Sequence, residues 1–325
     1  MVEFTYREFK ESDIADIASI ANLQAERDGD EDRLTEDMLQ HLLKAPFISA
    51  EEDFKVFLNA KGETIGVTLA IVNPRTGQSQ ANAILHPDYP AREIKPKMLD
   101  LCLDMVHQRG LANVPEDKPI YVITGATDNK TEDIAIFEDV GFTETRRFYE
   151  MRITLDDTVP APQFPDGLEL RPFDPEIHGR AAHAAQQESF RDHWGHSEDR
   201  PYDEWVHRFT APNFDPNLWF ILWDVEQEEI AGFSMCSVSP TIPDMGSVDL
   251  LGVRRPWRKR GLGMALLKQS FYGFQQKGFT RVGLGVDAAS KTNAVALYEN
   301  AGMDVHRCTI ILRKILRGNA EDIVD

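Results

Sequence analysis

A twelve-residue stretch of this chain has an echo further on. TEDIAIFEDVGF at 131–142 returns as TNAVALYENAGM at 292–303, 161 residues later, with Thr, Ala, Glu and Gly at matching places and the character of most other positions kept. A second echo opens each half: YREF (Tyr6–Phe9) runs into SDIADIASIANLQ, and LRPF (Leu170–Phe173) runs toward HGRAAHAAQQESF, at an offset of 164. Two echoes in the same order and at similar offsets imply a duplicated domain. The stretch DDTVPAPQFPDG (156–167), with three prolines and few apolar side chains, reads as the extended linker between the copies. The expected organisation is therefore a first domain over 1–155, a linker over 156–166 and a second domain over 167–325, which suits a length of 325 residues.

Each half mixes helical and strand patterns. Phe54–Leu58 and Thr64–Val72 read as a hairpin around LNAKGE, and Trp219–Val225 with Ile230–Ser239 repeats it around EQEE. Ser247–Val253 and Arg281–Asp287 read as strands, as does Arg307–Lys314. Leu262–Lys277 and Asn293–Ala301 read as helices stopped by Gly278 and Gly302. The fold class expected is α+β, each domain a mixed, largely antiparallel sheet flanked by helices.

Charge narrows the function. The formal net charge is −19, which argues against a general nucleic-acid or anionic-membrane binder, while a cationic amine would be attracted. Acidity that only maintains solubility is the other reading. The start, MVEFTYREFK, has charges where a signal peptide needs an apolar core, and no apolar run approaches the ~18 residues of a membrane span. Cys102, Cys236 and Cys308 are odd in number and far apart, as fits buried thiols in a reducing compartment. A cytoplasmic protein is expected.

Against this acidic background stands RKRGLG (258–263), between the strand SVDLLGV and the helix that begins near Leu262. A helix start offers unpaired N–H groups and about half a positive charge. Glycines allow close approach and positive φ, and Arg254, Arg255, Arg258, Lys259 and Arg260 surround the point with positive charge. Together they make a diphosphate cradle. The spacing is not that of a Walker loop, GxxxxGK[ST]. GLGMAL has only two of the three glycines of a dinucleotide fingerprint, and no acidic residue follows at the expected place. The pattern R-x-x-G-x-G is met in full by Arg258, Gly261 and Gly263.

At these residues VDLLGVRRPWRKRGLGMALL resembles the coenzyme A loop of the GNAT N-acetyltransferase superfamily. The downstream order of strand, Thr292–Asn293, helix, Tyr298 and Gly302 is similar to the second half of the same fold. The resemblance covers roughly 167–316 well and 1–155 more weakly, so it implies two tandem GNAT-like domains. It also implies acetyl-CoA as co-substrate and a small-molecule amine as acceptor, acetylated by direct attack. No metal is expected, because the glycine between His193 and His196 breaks the helical presentation that could join them with Asp192, and no further ligand is evident. A protein or peptide amine, or a non-catalytic acetyl-CoA sensor, are the alternatives; neither nucleic acid nor membrane is an expected partner, and a homo-oligomer is left open.

What the resemblance implies for single residues is specific. The backbone N–H groups of Arg258, Lys259, Arg260, Gly261, Leu262, Gly263 and Met264 hold the pyrophosphate. Leu251, Gly252 and Val253, on a strand splayed from its neighbour in the family, pair with the pantetheine arm and offer an N–H to the thioester carbonyl. Gly252 fits a bulge or a close backbone approach, or is a weak spot in a strand. Tyr298 is placed to protonate the leaving thiolate, since a phenol and a thiol have comparable acidity; a core aromatic is the alternative. Asn293 binds the cofactor or caps its helix. The base is not a direct carry-over: family members often carry a Glu on this strand, in some tandem relatives at the position of Ser247, which is no strong base. The candidates are therefore Asp249, two residues before Leu251 on the same strand face, Glu188, or a water relay. In the acceptor-facing stretch ESFRDHWGHSEDRPYDEW, Asp192, His193 and Trp194 are candidates for substrate contact, with Trp194 offering a cation–π face or merely packing.

The first domain looks disarmed by the same comparison. Laying ILHPDYPAREIKPKML (84–99) against the loop puts Glu93 and Lys95 where the second domain has Gly261 and Gly263. Pro96 removes an N–H, and Phe137 stands for Tyr298. The expectation is a first domain that does not catalyse and instead shapes the acceptor pocket or an oligomer interface.

Overall fold

The computed structural model describes residues 3–156, 158–196 and 198–323. From the N-terminus run β1 (Phe4–Glu8), α1 (Ile14–Asp28), α2 (Glu36–Leu43), α3 (Ala50–Asp53), β2 (Phe54–Asn59), β3 (Thr64–Val72), β4 (Gln78–Leu85), α4 (Ala91–Asn113), β5 (Ile120–Thr127), α5 (Thr131–Asp139) and β6 (Thr143–Thr154). The second half continues with β7 (Leu168–Pro172), α6 (Pro175–Phe190), α7 (Tyr202–Trp205), β8 (Phe214–Asp224), β9 (Glu229–Val238), β10 (Met245–Val253), α8 (Leu262–Gln276), β11 (Arg281–Asp287), α9 (Ala294–Asn300) and β12 (Asp304–Arg317). Short 3-10 turns sit at 255–257 and 206–210, among others. The elements read from the sequence are all present, with ends shifted by a few residues, as fraying at element termini allows.

The chain forms two compact units, 1–146 with 309–324, and 147–308. In the first, strands run β1-β2-β3-β4-β5-β12; in the second, β7-β8-β9-β10-β11-β6. Each sheet is antiparallel except at one join, β4 with β5 and β10 with β11. Each unit thus takes its last strand from the other half of the chain: β12 pairs antiparallel with β5, Ile310 opposite Ala126, and β6 pairs antiparallel with β11, Ile153 opposite Val282. The exchange satisfies ladder hydrogen bonds that either strand would otherwise leave open, and local periodicity is blind to it.

Apolar faces fill each unit. In the second, Val248, Leu267, Phe271, Phe274, Val282 and Met303 form one core, and Trp205, Trp219, Phe233 and Phe173 form another beneath α6. In the first, Met98, Leu99 and Ile136 pack α4 and α5 on β2 to β4. The buried Lys95 donates to Asp133 at 2.6 Å, a cross-tie between α4 and α5.

Candidate active site

The site is built where β10 parts from β11. The two strands are parallel partners only over Met245–Ser247 and Arg281–Gly283, although β10 runs on to Val253 and β11 to Asp287. Beyond Ser247 the β11-facing edge of β10 therefore has open backbone groups. A bulge between Val248 and Leu250 leaves Asp249 without an opposite residue on β9. The unpaired residue of the bulge is Asp249 itself, and the ladder resumes at Leu250 and Leu251.

Gly252 is buried opposite Phe233, and a Cβ there would stand 2.4 Å from the Phe233 ring. The close approach expected at Gly252 is thus made by a core side chain, and the bulge lies three residues earlier. Leu251 and Val253 are half-buried, and Leu251 packs on the cores on both sides.

After Val253 the chain turns through 254–261 and enters α8. Lys259 and Gly261 both take left-handed backbone, φ 63° and 76°. Gly261 is the residue that caps α8, no side chain caps the helix, and nothing lies within 4 Å of where a Cβ at Gly261 would be. Only Ala265 N–H finds a loop carbonyl, that of Gly261 at 3.1 Å. The first-turn N–H groups of Leu262, Gly263 and Met264 accordingly have no helical acceptor and point out of the helix start. Gly263 lets Leu297 of α9 come within 3.3 Å of where a Cβ would sit.

The five basic residues divide into two groups. Arg254 donates to Glu188 at 2.7 Å and to Glu229 at 2.8 Å. Arg255 grips both oxygens of Asp192, at 2.8 and 3.0 Å. Arg258 donates to the Val253 carbonyl at 3.0 Å and the Ser189 carbonyl at 3.2 Å, with Asp192 at 3.6 Å. These three brace the loop against the end of α6. Lys259 and Arg260 are exposed and form no ion pair with the described residues, so the charge left for an anion is theirs. The same bonds engage two residues singled out from the sequence. Glu188 is a strut for Arg254, and Asp192, whose carboxyl the Arg255 hydrogen bond holds below the usual range, is a strut for Arg255.

Asp249 is differently placed. Ser247 donates to it at 2.6 Å, and Ser237 also hydrogen-bonds it. Its side chain meets solvent, yet the protein closing in on it raises its pKa above the carboxylate range, more than the serines and the charge of Arg208 lower it. His193, against the Phe190 ring at 4.2 Å, has its pKa lowered by desolvation, with Asp287 opposing, and is neutral at pH 7. Trp194 meets Phe148 of β6 edge-on at 6.1 Å.

Across the parting of the strands stands α9. Asn293 takes left-handed backbone, φ 57°, a conformation asparagine tolerates. Its side chain caps nothing and has no partner among the described residues. Tyr298 is buried in the core beside β11, its hydroxyl bonded to no described residue, and burial pushes its pKa up to about 12. This corrects the premise of matched acidity: against a thiol near 8.5, full proton transfer is uphill by several pK units. The buried phenol is protonated at neutral pH and able to donate a hydrogen bond. Tyr298→Phe is accordingly expected to lower kcat by about 10-fold, not to abolish turnover, with KM for the acyl donor little changed; steady-state kinetics checks it, and loss beyond 1,000-fold would require full proton transfer.

In the first unit the corresponding join differs by length. Five residues, 86–90, connect β4 to α4, against eight, 254–261, between β10 and α8. Measured from the helix starts, Pro90 stands at the place of Gly261. Glu93 and Lys95 therefore lie inside the first two turns of α4, not at the two glycine places, and Pro96 lies further in. The shorter loop has neither the left-handed turn nor the arginine braces. Phe137 does occupy the place of Tyr298, each four residues before a glycine at φ 92°.

Two arginines that the sequence reading passed over join this neighbourhood, Arg208 and Arg200. Neither has an ion-pair partner among the described residues. In a chain with 54 acidic and 35 basic residues, a half-buried arginine without an ion pair is unexpected, and no local pattern in the sequence marks it.

Residues 180–303 match the acetyltransferase (GNAT) family model. A mycothiol acetyltransferase of Thermobispora bispora is 30% identical over 178 residues, 54% of this chain, and the match spans 59% of that relative's length. One from Salinispora tropica is 27% identical over 300 residues, 89% of each chain. Among solved structures, a GCN5-related N-acetyltransferase from Sphaerobacter thermophilus superposes with TM-score 0.79 at 25% identity, over 97% of this chain and 96% of that one. A tandem GNAT protein from the clavulanic acid biosynthesis pathway shares the fold with TM-score 0.75 at 12% identity, over 98% of this chain and all of its own. With its splayed β10, left-handed Gly261 and uncapped α8 inside the matched segment, residues 180–303 form an acetyltransferase (GNAT) family domain, and the chain as a whole has the fold of tandem GNAT proteins.

Proposed function

We propose that the chain transfers an acetyl group from acetyl-CoA to a primary amine of a small molecule, by direct attack, at one site in the second half. The observation that carries the reading is the union of an uncapped helix start, opened by Gly261, with a strand whose edge is open beyond Ser247. The N–H groups of Arg258–Met264, with Lys259 and Arg260, hold the pyrophosphate. Leu251, Gly252 and Val253 present backbone to the pantetheine arm, and Asn293 adds a side-chain amide. The residues fit the co-substrate, which supplies an activated thioester carbonyl when bound.

The protein's share of the chemistry is then assigned. A β10 N–H stabilises negative charge developing on the carbonyl oxygen. Asp249 takes the proton from the amine as nitrogen bonds to the carbonyl carbon, its raised pKa bringing it nearer the working pH. Tyr298 donates a hydrogen bond to the sulfur as the carbon–sulfur bond breaks. Glu188 and Asp192 keep the loop's arginines in place, and His193 and Trp194 face the acceptor. The duplicated domains are 1–155 and 167–325, the first without catalysis of its own. The names of the curated relatives favour a small-molecule acceptor over a protein one.

Release of free thiol from acetyl-CoA in the presence of a panel of amines tests the proposal. Amine-dependent release matched one to one by acetylated amine is expected. Tight acetyl-CoA binding with no release for any amine would make the chain a sensor.

A further inference from the structure

One feature of the second unit is left unused by that chemistry. Arg208, in the turn at 206–210, has its guanidinium over the Trp205 ring, 5.0 Å from the centroid, and its Nε donates to the Trp205 carbonyl at 3.1 Å. Stack and bond fix the plane of the group and leave both Nη groups without a described partner. Desolvation brings its pKa down to about 10, Arg200 adds repulsion, and Asp249 opposes. Leu250, next to Asp249 on β10, packs in the same apolar cluster as Trp205, Val206 and Phe209, which brings the turn carrying Arg208 alongside the bulge at Asp249 with no ion pair between the two. His183, which meets the Trp205 ring at 5.4 Å, ties Arg200 to the same place. Arg200 is held at its backbone: its N–H donates to Gln187 at 3.0 Å, and its carbonyl lies 2.7 Å from Nε2 of His183. Its exposed side chain has no described partner either. The Trp205 indole N–H, in the ring beneath Arg208, is also buried without an acceptor.

A guanidinium desolvated on Trp205 and left without a described counter-charge, with the exposed Arg200 nearby in a chain of net charge −19, is costly unless something negative sits against it. We infer that Arg208, with Arg200 beside it, forms an anion subsite opposite Asp249, so that the acceptor is a small molecule carrying a carboxylate or phosphate close to its amine. The inference rests on the proposed acetyl transfer and on Asp249 as the group facing the amine. The planar guanidinium suits either anion, which it can grip with two parallel N–H bonds. The anion sits on Arg208 and the ammonium end on Asp249, so one molecule neutralises both groups and is oriented by them.

Three probes share one skeleton: ethanolamine, serine, which adds a carboxylate, and O-phosphoethanolamine, which adds a phosphate. Binding is measured by calorimetry on the full chain saturated with CoA, and turnover by thiol release from acetyl-CoA. One or both anionic probes are expected to bind ~10- to 100-fold more tightly than ethanolamine. Arg208→Gln should erase that ratio while changing ethanolamine less than ~3-fold. Arg208→Lys should keep part of it, and Arg200→Gln, at an exposed position, should reduce it without risk to folding. Equal binding of the three, no binding of any, or a ratio unmoved in both glutamine variants overturns the subsite. Preferential binding without thiol release would instead overturn the transferase reading and leave the subsite standing.

Discussion

Gly261→Glu is expected to abolish measurable acetyl-CoA binding in a chain that still folds. The residue is exposed, and nothing lies within 4 Å of its would-be Cβ, so a side chain meets no core atom. The φ of 76° does tax a larger residue, by about 1–2 kcal/mol. The decisive effect is on the ligand. A carboxylate at the cap of α8 covers the N–H groups of Leu262, Gly263 and Met264 and repels a diphosphate at the place where the helix start attracts it. We expect a loss of at least ~100-fold, about 3 kcal/mol. Gly261→Ala, which adds strain alone, should lose ~10-fold or less. Calorimetry of the wild type should give one site per chain, because the 86–90 loop of the first unit is three residues shorter and ends in Pro90. Two sites, or a glutamate variant that binds normally, would overturn the assignment of the loop.

Asp249→Asn should lower kcat by ~10²- to 10⁴-fold with little change in acetyl-CoA affinity. The sign of the pH effect follows from the raised pKa. A base must be ionised, so kcat with the amine bound should fall as pH drops through the folded pKa of Asp249. That pKa lies above the ordinary carboxylate range because the surrounding protein disfavours the charge. The asparagine variant should lose this acidic limb, whereas Glu188→Gln should keep it, since Glu188 is bound to Arg254 at 2.7 Å. A pH–rate profile for each variant checks the assignment. An Asp249→Asn enzyme within ~3-fold of the wild type, with an unchanged profile, would return the role of base to a water relay.

What a local pattern can carry was legible in the sequence. The echo at 131–142 and 292–303 became α5 and α9 with their stopping glycines, and the hairpins fell where turn residues interrupt alternating runs. RKRGLG was legible for the same reason: a helix start, a left-handed glycine and adjacent charge all follow from residues within a few positions of one another. The tertiary structure alone decided how those residues are used. Arg254 meets Glu188 from 66 positions away and Arg255 meets Asp192 from 63, so three of five loop cations became braces. The bulge at Asp249 depends on how β9 registers against β10, and the exchange of β6 and β12 on which sheet edge each strand reaches. Loop length shifted the Glu93 and Lys95 correspondence that residue-by-residue alignment had drawn. Arg208 acquired its meaning by subtraction, from the ion-pair partners it lacks among the described residues. Periodicity and turn chemistry act over a few residues, whereas ion pairing, register and desolvation are set by whichever distant segment folding brings alongside.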